Sequence, residues 1–182
     1  MRLFVAIDIP AEIKDALRCF VDRLRPAAKI SWSPVDNLHI TTKFIGEWPE
    51  SRLDEMKRAL TAVPVKGAIN INVKGLGWFP NARRPRVFWA GVEGGEPLRA
   101  LALATEQAVA HLGVSTEERD YSPHLTLARI REAVPLDRLY QTLESFPGGC
   151  GFDFGTFSAS QFFLYLSAGG KYTQLAGFFL DR

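Results

Sequence analysis

The chain has 182 residues, which is enough for one large domain or for two small halves that share a core. Its hydrophobic fraction of 47% and its charged fraction of 23% are those of an ordinary soluble globular protein. The net charge of +2 excludes a nucleic-acid binder that relies on a strongly basic surface, so any site for anions must be local.

The first half of the chain alternates between predicted strands and predicted helices. Runs of β-branched and aromatic residues, or of alternating apolar and polar residues, predict strands. The four predicted strands span 3–9, 29–33, 38–45 and 68–73. Apolar residues spaced three and four apart predict one helix after Pro10 and a second near Pro49.

The second half repeats this order, with helices after Gly95 and from Pro135. Its four predicted strands span 86–92, 124–130, 162–166 and 172–180. The repetition predicts an α+β protein with two similar lobes, whose repeat halves cover approximately 1–80 and 81–182. The linker between them is 77–86, which is rich in Gly, Pro and Arg.

Two short motifs occupy the same place in the two halves. Phe4 lies 35 positions before His39, and Phe88 lies 36 positions before His124. Coincidence is the alternative, because strand–helix–strand patterns recur in many α+β chains. The shared motif favours a duplication.

The motifs are Leu-His-Ile-Thr-Thr at 38–42 and Pro-His-Leu-Thr-Leu at 123–127. Residues two apart on a strand project from one face, so His39 shares a face with Thr41, and His124 shares one with Thr126. A single His-x-Thr triplet means little. Two of them, in a chain with only three histidines, are far less expected by chance. The third histidine, His111, lies near the end of a predicted helix and is assigned no catalytic role.

Paired histidines suit the opening of a cyclic phosphodiester. The reaction needs a base that takes a proton from water and an acid that protonates the departing ribose oxygen. A histidine with a pKa of about 6.5 can serve either task near neutral pH. Each threonine hydroxyl can donate to a nonbridging phosphate oxygen, where charge develops. We therefore predict that His39 and His124 are catalytic and that Thr41 and Thr126 bind phosphate.

Strand alternation also assigns faces to the neighbouring residues. Lys43 is expected beside His39 and could reach a phosphate, although a solvated lysine is almost as good an interpretation. Thr42 and Phe44 are expected to face the core. Arg129 should lie on the face opposite to His124, unless a bulge re-aims it.

Two further groups are possible contacts to the substrate. Arg83, Arg84 and Arg86 form the densest positive cluster, and they either bind phosphate or belong to a solvated linker. Tyr121 and Tyr172 are candidates for base stacking, with a place in the core or at the rim as the alternative.

At these motifs the sequence resembles the two-histidine phosphoesterase superfamily. It is most similar to the bacterial and archaeal RNA 2′,3′-cyclic phosphodiesterases, long called 2′-5′ RNA ligases. The resemblance covers nearly the whole chain. Its markers are Arg-Leu-Phe-Val-Ala-Ile-Asp-Ile-Pro at 2–10, Trp32, Asn37 before the first motif, Lys-Phe-Ile-Gly-Glu at 43–47, Gly-Trp-Phe-Pro at 77–80, Arg-Pro-Arg-Val-Phe-Trp at 84–89, and the second motif continued by Ala-Arg at 128–129.

The resemblance implies one bilobal domain over 1–182, with interleaved lobes, antiparallel sheets flanking a central cleft, and helices outside. It implies hydrolysis of a terminal 2′,3′-cyclic phosphate to a 2′-phosphate without metal or cofactor, and a weak reverse joining of RNA ends through a 2′-5′ bond. It also implies that Arg129 binds phosphate, that His39 is the acid and that His124 is the base. Thr42 stands where the family often has leucine.

The expected partner is an RNA that ends in a 2′,3′-cyclic phosphate. A small nucleotide or ADP-ribose cyclic phosphate is an alternative substrate, and a non-catalytic module that binds RNA ends is an alternative function. The sequence offers no metal-ligand cluster at either motif.

We expect a cytoplasmic monomer without a membrane segment. The N-terminal apolar run is interrupted by Asp8 and is too short for a signal peptide. Cys19 and Cys150 are interpreted as reduced thiols.

Overall fold

The computed structural model describes residues 1–64, 67–146 and 152–180. Cys150 lies outside these ranges, and Cys19 is an exposed free thiol. The strands in these ranges are β1 Arg2–Asp8, β2 Ser31–Trp32, β3 His39–Glu47, β4 Ile69–Phe79, β5 Val87–Glu93, β6 His124–Arg129, β7 Asp153–Ala159, β8 Gln161–Ala168 and β9 Lys171–Phe179. The α-helices in the same ranges are α1 Ala11–Leu24, α2 Leu53–Thr61, α3 Gly95–Ala110 and α4 Asp137–Glu144.

The strands form two antiparallel sheets. The first sheet has the order β3-β1-β8-β9, and the second has the order β2-β6-β5-β4-β7. The last two strands of the chain thus complete the sheet that the first strand begins. The lobes are interleaved, and the prediction of an α+β bilobal fold with antiparallel sheets is confirmed.

The helices cover the outer faces of both sheets. α1 packs against β7 and α4, while α2 and α3 pack against each other and over β9 and β3. The apolar stripe of α1 is buried as its three- and four-residue spacing predicts. Leu3, Val5 and Ile7 alternate along β1 towards this core. No helix in the described ranges is both long and apolar enough to cross a membrane.

Strand pairing reveals which positions of the two halves correspond. β1 pairs Asp8 with His39, and β5 pairs Gly91 with His124. The same alignment matches Phe88 with Val5, so the prediction that Phe4 is the counterpart of Phe88 is wrong by one residue. Phe4 stacks on His39 in the cleft, whereas Phe88 is fully buried on the other face of its sheet.

The connection between the halves is shorter than predicted, because β4 continues to Phe79 and leaves only 80–86 between the strands. Gly77 is part of the strand, where a Cβ would overlap the ring of Trp89. The short loop is tied down by the Tyr140 hydroxyl, which donates to the carbonyl of Ala82 at 2.9 Å. The sequence patterns did not predict β7.

Candidate active site

Each catalytic candidate is held by the same local hydrogen bond. Nδ1 of His39 lies 2.7 Å from the carbonyl oxygen of Asn37, and Nδ1 of His124 lies 2.8 Å from that of Ser122. Because a carbonyl oxygen only accepts, Nδ1 carries the proton in both rings. Nε2 is therefore the nitrogen left for a substrate. On both strands, the backbone carbonyl two residues before the histidine fixes the tautomer and the orientation of the ring.

Both strands also bulge immediately after the threonine of the motif. Thr42 is skipped in the pairing of β3 with β1, and Leu127 is skipped in the pairing of β6 with β5. An extra residue reverses the alternation beyond it. Arg129 is therefore re-aimed to the face of His124, as one of the two predicted possibilities allowed. Phe44 is its counterpart on β3 and is 56% exposed, so the prediction that Phe44 lies in the core is wrong.

The bulge sends Lys43 to the opposite side of the sheet from His39. Its side chain is 1% exposed, and Nζ donates to the carbonyl of Ser115 at 2.8 Å. The same ammonium lies 3.6 Å from a carboxylate oxygen of Glu106 and 3.9 Å from one of Glu117. The prediction that Lys43 faces the cleft and reaches substrate phosphate is therefore wrong, because Thr42 breaks the alternation on which it rested.

Aromatic rings surround His39 in the first lobe. Phe4 stacks on its imidazole with ring centroids 4.6 Å apart, and Tyr172 meets it edge-on at 5.1 Å. Tyr165 also stacks on Phe4 at 5.2 Å and lies 6.5 Å from the ring of His39, and its hydroxyl donates to Oδ1 of Asp8 at 2.5 Å. The sequence prediction included Tyr172 but missed Phe4, Asp8 and Tyr165. The signal for Phe4 and Asp8 was the pairing of β1 with the motif strand, and Tyr165 enters through the pairing of β8 with β1.

The second lobe surrounds His124 differently. Phe79 meets its ring edge-on at 5.0 Å, and Trp89 lies 6.4 Å away. Trp89 pairs with Thr126 across the strands, whereas the small residue Ala6 pairs with Thr41. At the position that Asp8 occupies in the first lobe, this lobe has Gly91, which carries no charge.

The electrostatics of the cleft favour neutral imidazoles in the free protein. Burial lowers the pKa of His39, and the hydrogen bond to Asn37 and the charge of Asp8 act in the opposite direction. Burial likewise lowers the pKa of His124, against the effect of its bond to Ser122. The positive charge of Arg129 lowers the pKa of both histidines. Arg129 therefore lies close enough to act on both, and the charge of His124 also acts on His39.

The two tyrosine candidates have different places. The Tyr121 hydroxyl donates to the carbonyl of Thr41 at 3.0 Å, and burial raises the pKa of this phenol well above its usual range. Tyr121 is thus half-buried, with its hydroxyl committed to the backbone of the first motif. Tyr172 is 39% exposed and remains available at the edge of His39. Asn37 holds the nearby β8–β9 turn by donating to the carbonyl of Gly170 at 3.1 Å.

The three loop arginines are exposed on the connection between β4 and β5. The backbone N–H groups of Arg83 and Arg84 donate to Oδ1 of Asn81 at 3.0 and 3.1 Å, which shapes the loop. Arg86 donates through Nη1 to the carbonyl of Arg131 at 3.2 Å. Arg86 is thus fixed beside the end of β6, whereas Arg83 and Arg84 stay at the tip of the loop.

Two strands that present histidine and threonine towards one cleft, with an arginine at its wall, are the arrangement expected of a phosphoesterase. Within the described ranges, no group of three or more histidine, cysteine, aspartate or glutamate side chains is arranged to hold a metal ion. The half-buried threonines and the arginine offer hydrogen-bond donors for a phosphate.

Comparisons with known proteins support this class. A model of the LigT-like phosphoesterase family matches residues 7–89. An RNA 2′,3′-cyclic phosphodiesterase from Methanocaldococcus jannaschii is 35% identical over 168 residues, which cover 92% of this chain and 91% of the relative. The chain belongs to the LigT-like phosphoesterase family.

Solved structures agree over the full length of the chain. A protein from Thermus thermophilus matches with a TM-score of 0.78 and 30% identity, covering 99% of this chain and 98% of its own. LigT of E. coli, solved in complex with 3′-AMP, also matches with a TM-score of 0.78, at 27% identity and with 100% and 98% coverage.

Proposed function

We propose that the protein hydrolyses RNA-terminal 2′,3′-cyclic phosphates to 2′-phosphomonoesters, with two histidines and no metal. The observation that carries the proposal is the identical fixation of the two imidazoles. Both Nδ1 atoms bind a carbonyl two residues upstream, which leaves two Nε2 atoms in one cleft. The name of the M. jannaschii relative, RNA 2′,3′-cyclic phosphodiesterase, supports the choice of substrate.

In the proposed reaction, Nε2 of His124 takes a proton from water as the oxygen attacks phosphorus. The bond from phosphorus to O3′ breaks, and His39 gives its proton to O3′. The product carries a 2′-phosphate and a 3′-hydroxyl, and proton exchange with solvent resets both rings. Acid and base of this kind each contribute about 100-fold or more to the rate.

An asymmetry beside the histidines supports this division of roles. The carboxylate of Asp8 raises the pKa of His39, and Gly91 offers no such charge to His124. This charge favours the imidazolium of His39 and has no counterpart at His124. The anionic phosphate of a bound substrate adds a second negative charge, which favours the imidazolium further.

We assign phosphate binding to Thr41, Thr126 and Arg129. The threonine hydroxyls donate to nonbridging oxygens, and the guanidinium neutralises charge that develops on them. Weak 2′-5′ ligation follows from the same geometry, since the 5′-hydroxyl of a second RNA can replace the attacking water. We further propose that the enzyme acts as a cytoplasmic monomer.

The test is a substrate panel monitored by phosphorus NMR in the presence of EDTA. We expect an oligonucleotide with a 2′,3′-cyclic end to give the 2′-phosphate at an unchanged rate, because the two histidines supply both proton transfers. A small nucleotide or ADP-ribose cyclic phosphate should react more slowly. Loss of turnover in EDTA that a divalent ion restores, or a product that is mainly 3′-phosphate, would contradict the mechanism. Binding without turnover would favour a module that only holds RNA ends.

A further inference from the structure

A small cavity of about 120 Å³ has Arg129 in its lining and neither of the two motif histidines. Its polar lining consists of Lys29, Ser31, Arg129, Arg131 and Glu132, with Ile30, Ile130 and Val134 as apolar walls. It is separate from the aromatic surroundings of both histidines.

The pairing of β2 with β6 builds this cavity. Ser31 lies opposite Arg129, and Trp32 lies opposite Ala128. Lys29 and Arg131 lie just beyond the paired strands, each two residues from Ser31 or Arg129, and they line the same cavity. Residues so spaced are about 7 Å apart along a strand, which is of the order of the distance between successive phosphates of a single-stranded nucleic acid.

The lining concentrates positive charge in a chain whose net charge is only +2. Lys29, Arg129 and Arg131 are all exposed, and Glu132 is the single acidic residue that lines the cavity. In the part of the chain that the structure describes, none of the three cations forms an ion pair within 4 Å. Arg86 donates to the carbonyl of Arg131 at 3.2 Å, which fixes the backbone there and adds a fourth cation nearby.

Arg129 is a wall shared by the cavity and the catalytic cleft. Its charge acts on both histidines, and its side chain also lines the cavity. A polyanion that starts at the histidines and passes Arg129 would place its next charge against Lys29 and Arg131. A mononucleotide has no second charge to place there.

We propose that this cavity is a second phosphate site, which binds the phosphodiester one nucleotide upstream of the cyclic end. The inference rests on the proposed function and deepens it, because it makes an RNA chain, and not a mononucleotide, the preferred substrate. Lys29 and Arg131 are then determinants of specificity that take no part in the chemistry. Their contribution is a phosphate contact that depends on salt.

The test compares three substrates: 2′,3′-cyclic AMP, a diadenosine with a 2′,3′-cyclic end, and the same dimer with an uncharged methylphosphonate linkage. We expect the wild-type protein to prefer the phosphodiester over the methylphosphonate about tenfold in kcat/KM, as for a charge-assisted contact. The double variant K29M/R131M should reduce this preference to less than about twofold. It should leave the turnover of 2′,3′-cyclic AMP unchanged. Loss of this single phosphate contact should make the negative slope of log(kcat/KM) against log[salt] shallower by about one at most.

The control variant R58M/R99M removes two exposed charges from the helices outside the first sheet and should retain the preference. An equal loss on all three substrates, or no preference in the wild-type protein, would overturn the second site. Binding of the 2′-phosphate-ended dimers to the wild-type protein, measured by calorimetry, separates the two proposals. If the protein turned over no substrate but still bound the phosphodiester dimer more tightly than the methylphosphonate dimer, the proposed phosphodiesterase activity would be refuted. The second phosphate site would still stand.

Discussion

The two motif strands share a backbone and differ in the side chains that it displays. On both, a bulge follows the threonine, after Thr41 on β3 and after Thr126 on β6. The third residue beyond the threonine is then turned into the cleft, as Phe44 on one strand and Arg129 on the other. The two lobes thus share one scaffold, and a different residue at the corresponding position gives one lobe an apolar side chain and the other a cationic one.

A second difference lies on the neighbouring strand. Asp8 stands beside His39, where the other lobe has Gly91 beside His124. The hydroxyl of Tyr165 binds this carboxylate and holds it in place. Two histidines with the same tether thus differ in their electrostatic surroundings through one nearby charge, which supports the separate roles proposed for them.

The largest effect is expected when either histidine of the pair is removed. H39A and H124A should each lower kcat/KM at least about 100-fold on a natural cyclic end, since each removes an acid–base group. A substrate whose leaving group needs no proton should restore much of the rate of H39A and leave H124A slow. Steady-state kinetics on both substrates measures this.

If this substrate restored the rate of H124A and not that of H39A, His124 would be the acid and His39 the base. Near-normal activity of either variant on the natural substrate would refute the paired mechanism.

A smaller effect tests the bulge at Thr42, which turns Lys43 into the protein and Phe44 into the cleft. K43M should lower the free energy of unfolding by about 1–3 kcal/mol, because it leaves the carbonyl of Ser115 and the carboxylate of Glu106 without their buried partner. F44L should change it by less than about 0.5 kcal/mol, as for an exposed position. Urea unfolding of both variants measures the difference. If K43M kept full stability and bound substrate weakly, the result would contradict the bulge. It would place Lys43 on the same face of β3 as His39.

The smallest effect concerns pH. Asp8 raises the pKa of His39, so D8N should lower that pKa and deplete the acid form at a lower pH. The alkaline limb of the kcat/KM profile should therefore move to lower pH. The acid limb, which follows His124, should not move. D36N is the matched control, because Asp36 is exposed and pairs with Arg18 at 2.9 Å. A shift of the acid limb instead would make His39 the base.

Much of this architecture is visible in the sequence, because strands and helices have different apolar periods. The weak signal of β7 was missed, since Gly155 and alternating serine and threonine dilute its apolar pattern. Gly77 and the following residues were assigned to the linker, whereas this glycine makes room for the Trp89 ring within a strand. A glycine alone does not distinguish a turn from a close approach of a side chain.

The site was predictable as far as strand alternation holds. Positions up to Thr41 on β3 lie where the pattern places them, and Lys43 and Phe44 do not. The bulge at Thr42, between Thr41 and Lys43, depends on how β3 pairs with β1. The sequence of β3 alone does not reveal this pairing. For Arg129 the prediction allowed a bulge, and that alternative is the one the strand pairing supports. The charge of Asp8 acts through a neighbouring strand, so no motif contains it.

The exchange of strands between the lobes affects how the chain folds during synthesis and whether its halves can fold separately. β1 ends at Asp8, yet its partner β8 begins only at Gln161. A pairing over such sequence separation raises the contact order and slows folding. During synthesis, the strand that flanks His39 waits for nearly the whole polypeptide to leave the ribosome. A chain cut between the two halves would separate β1 from β8, so neither half contains all the strands of either sheet.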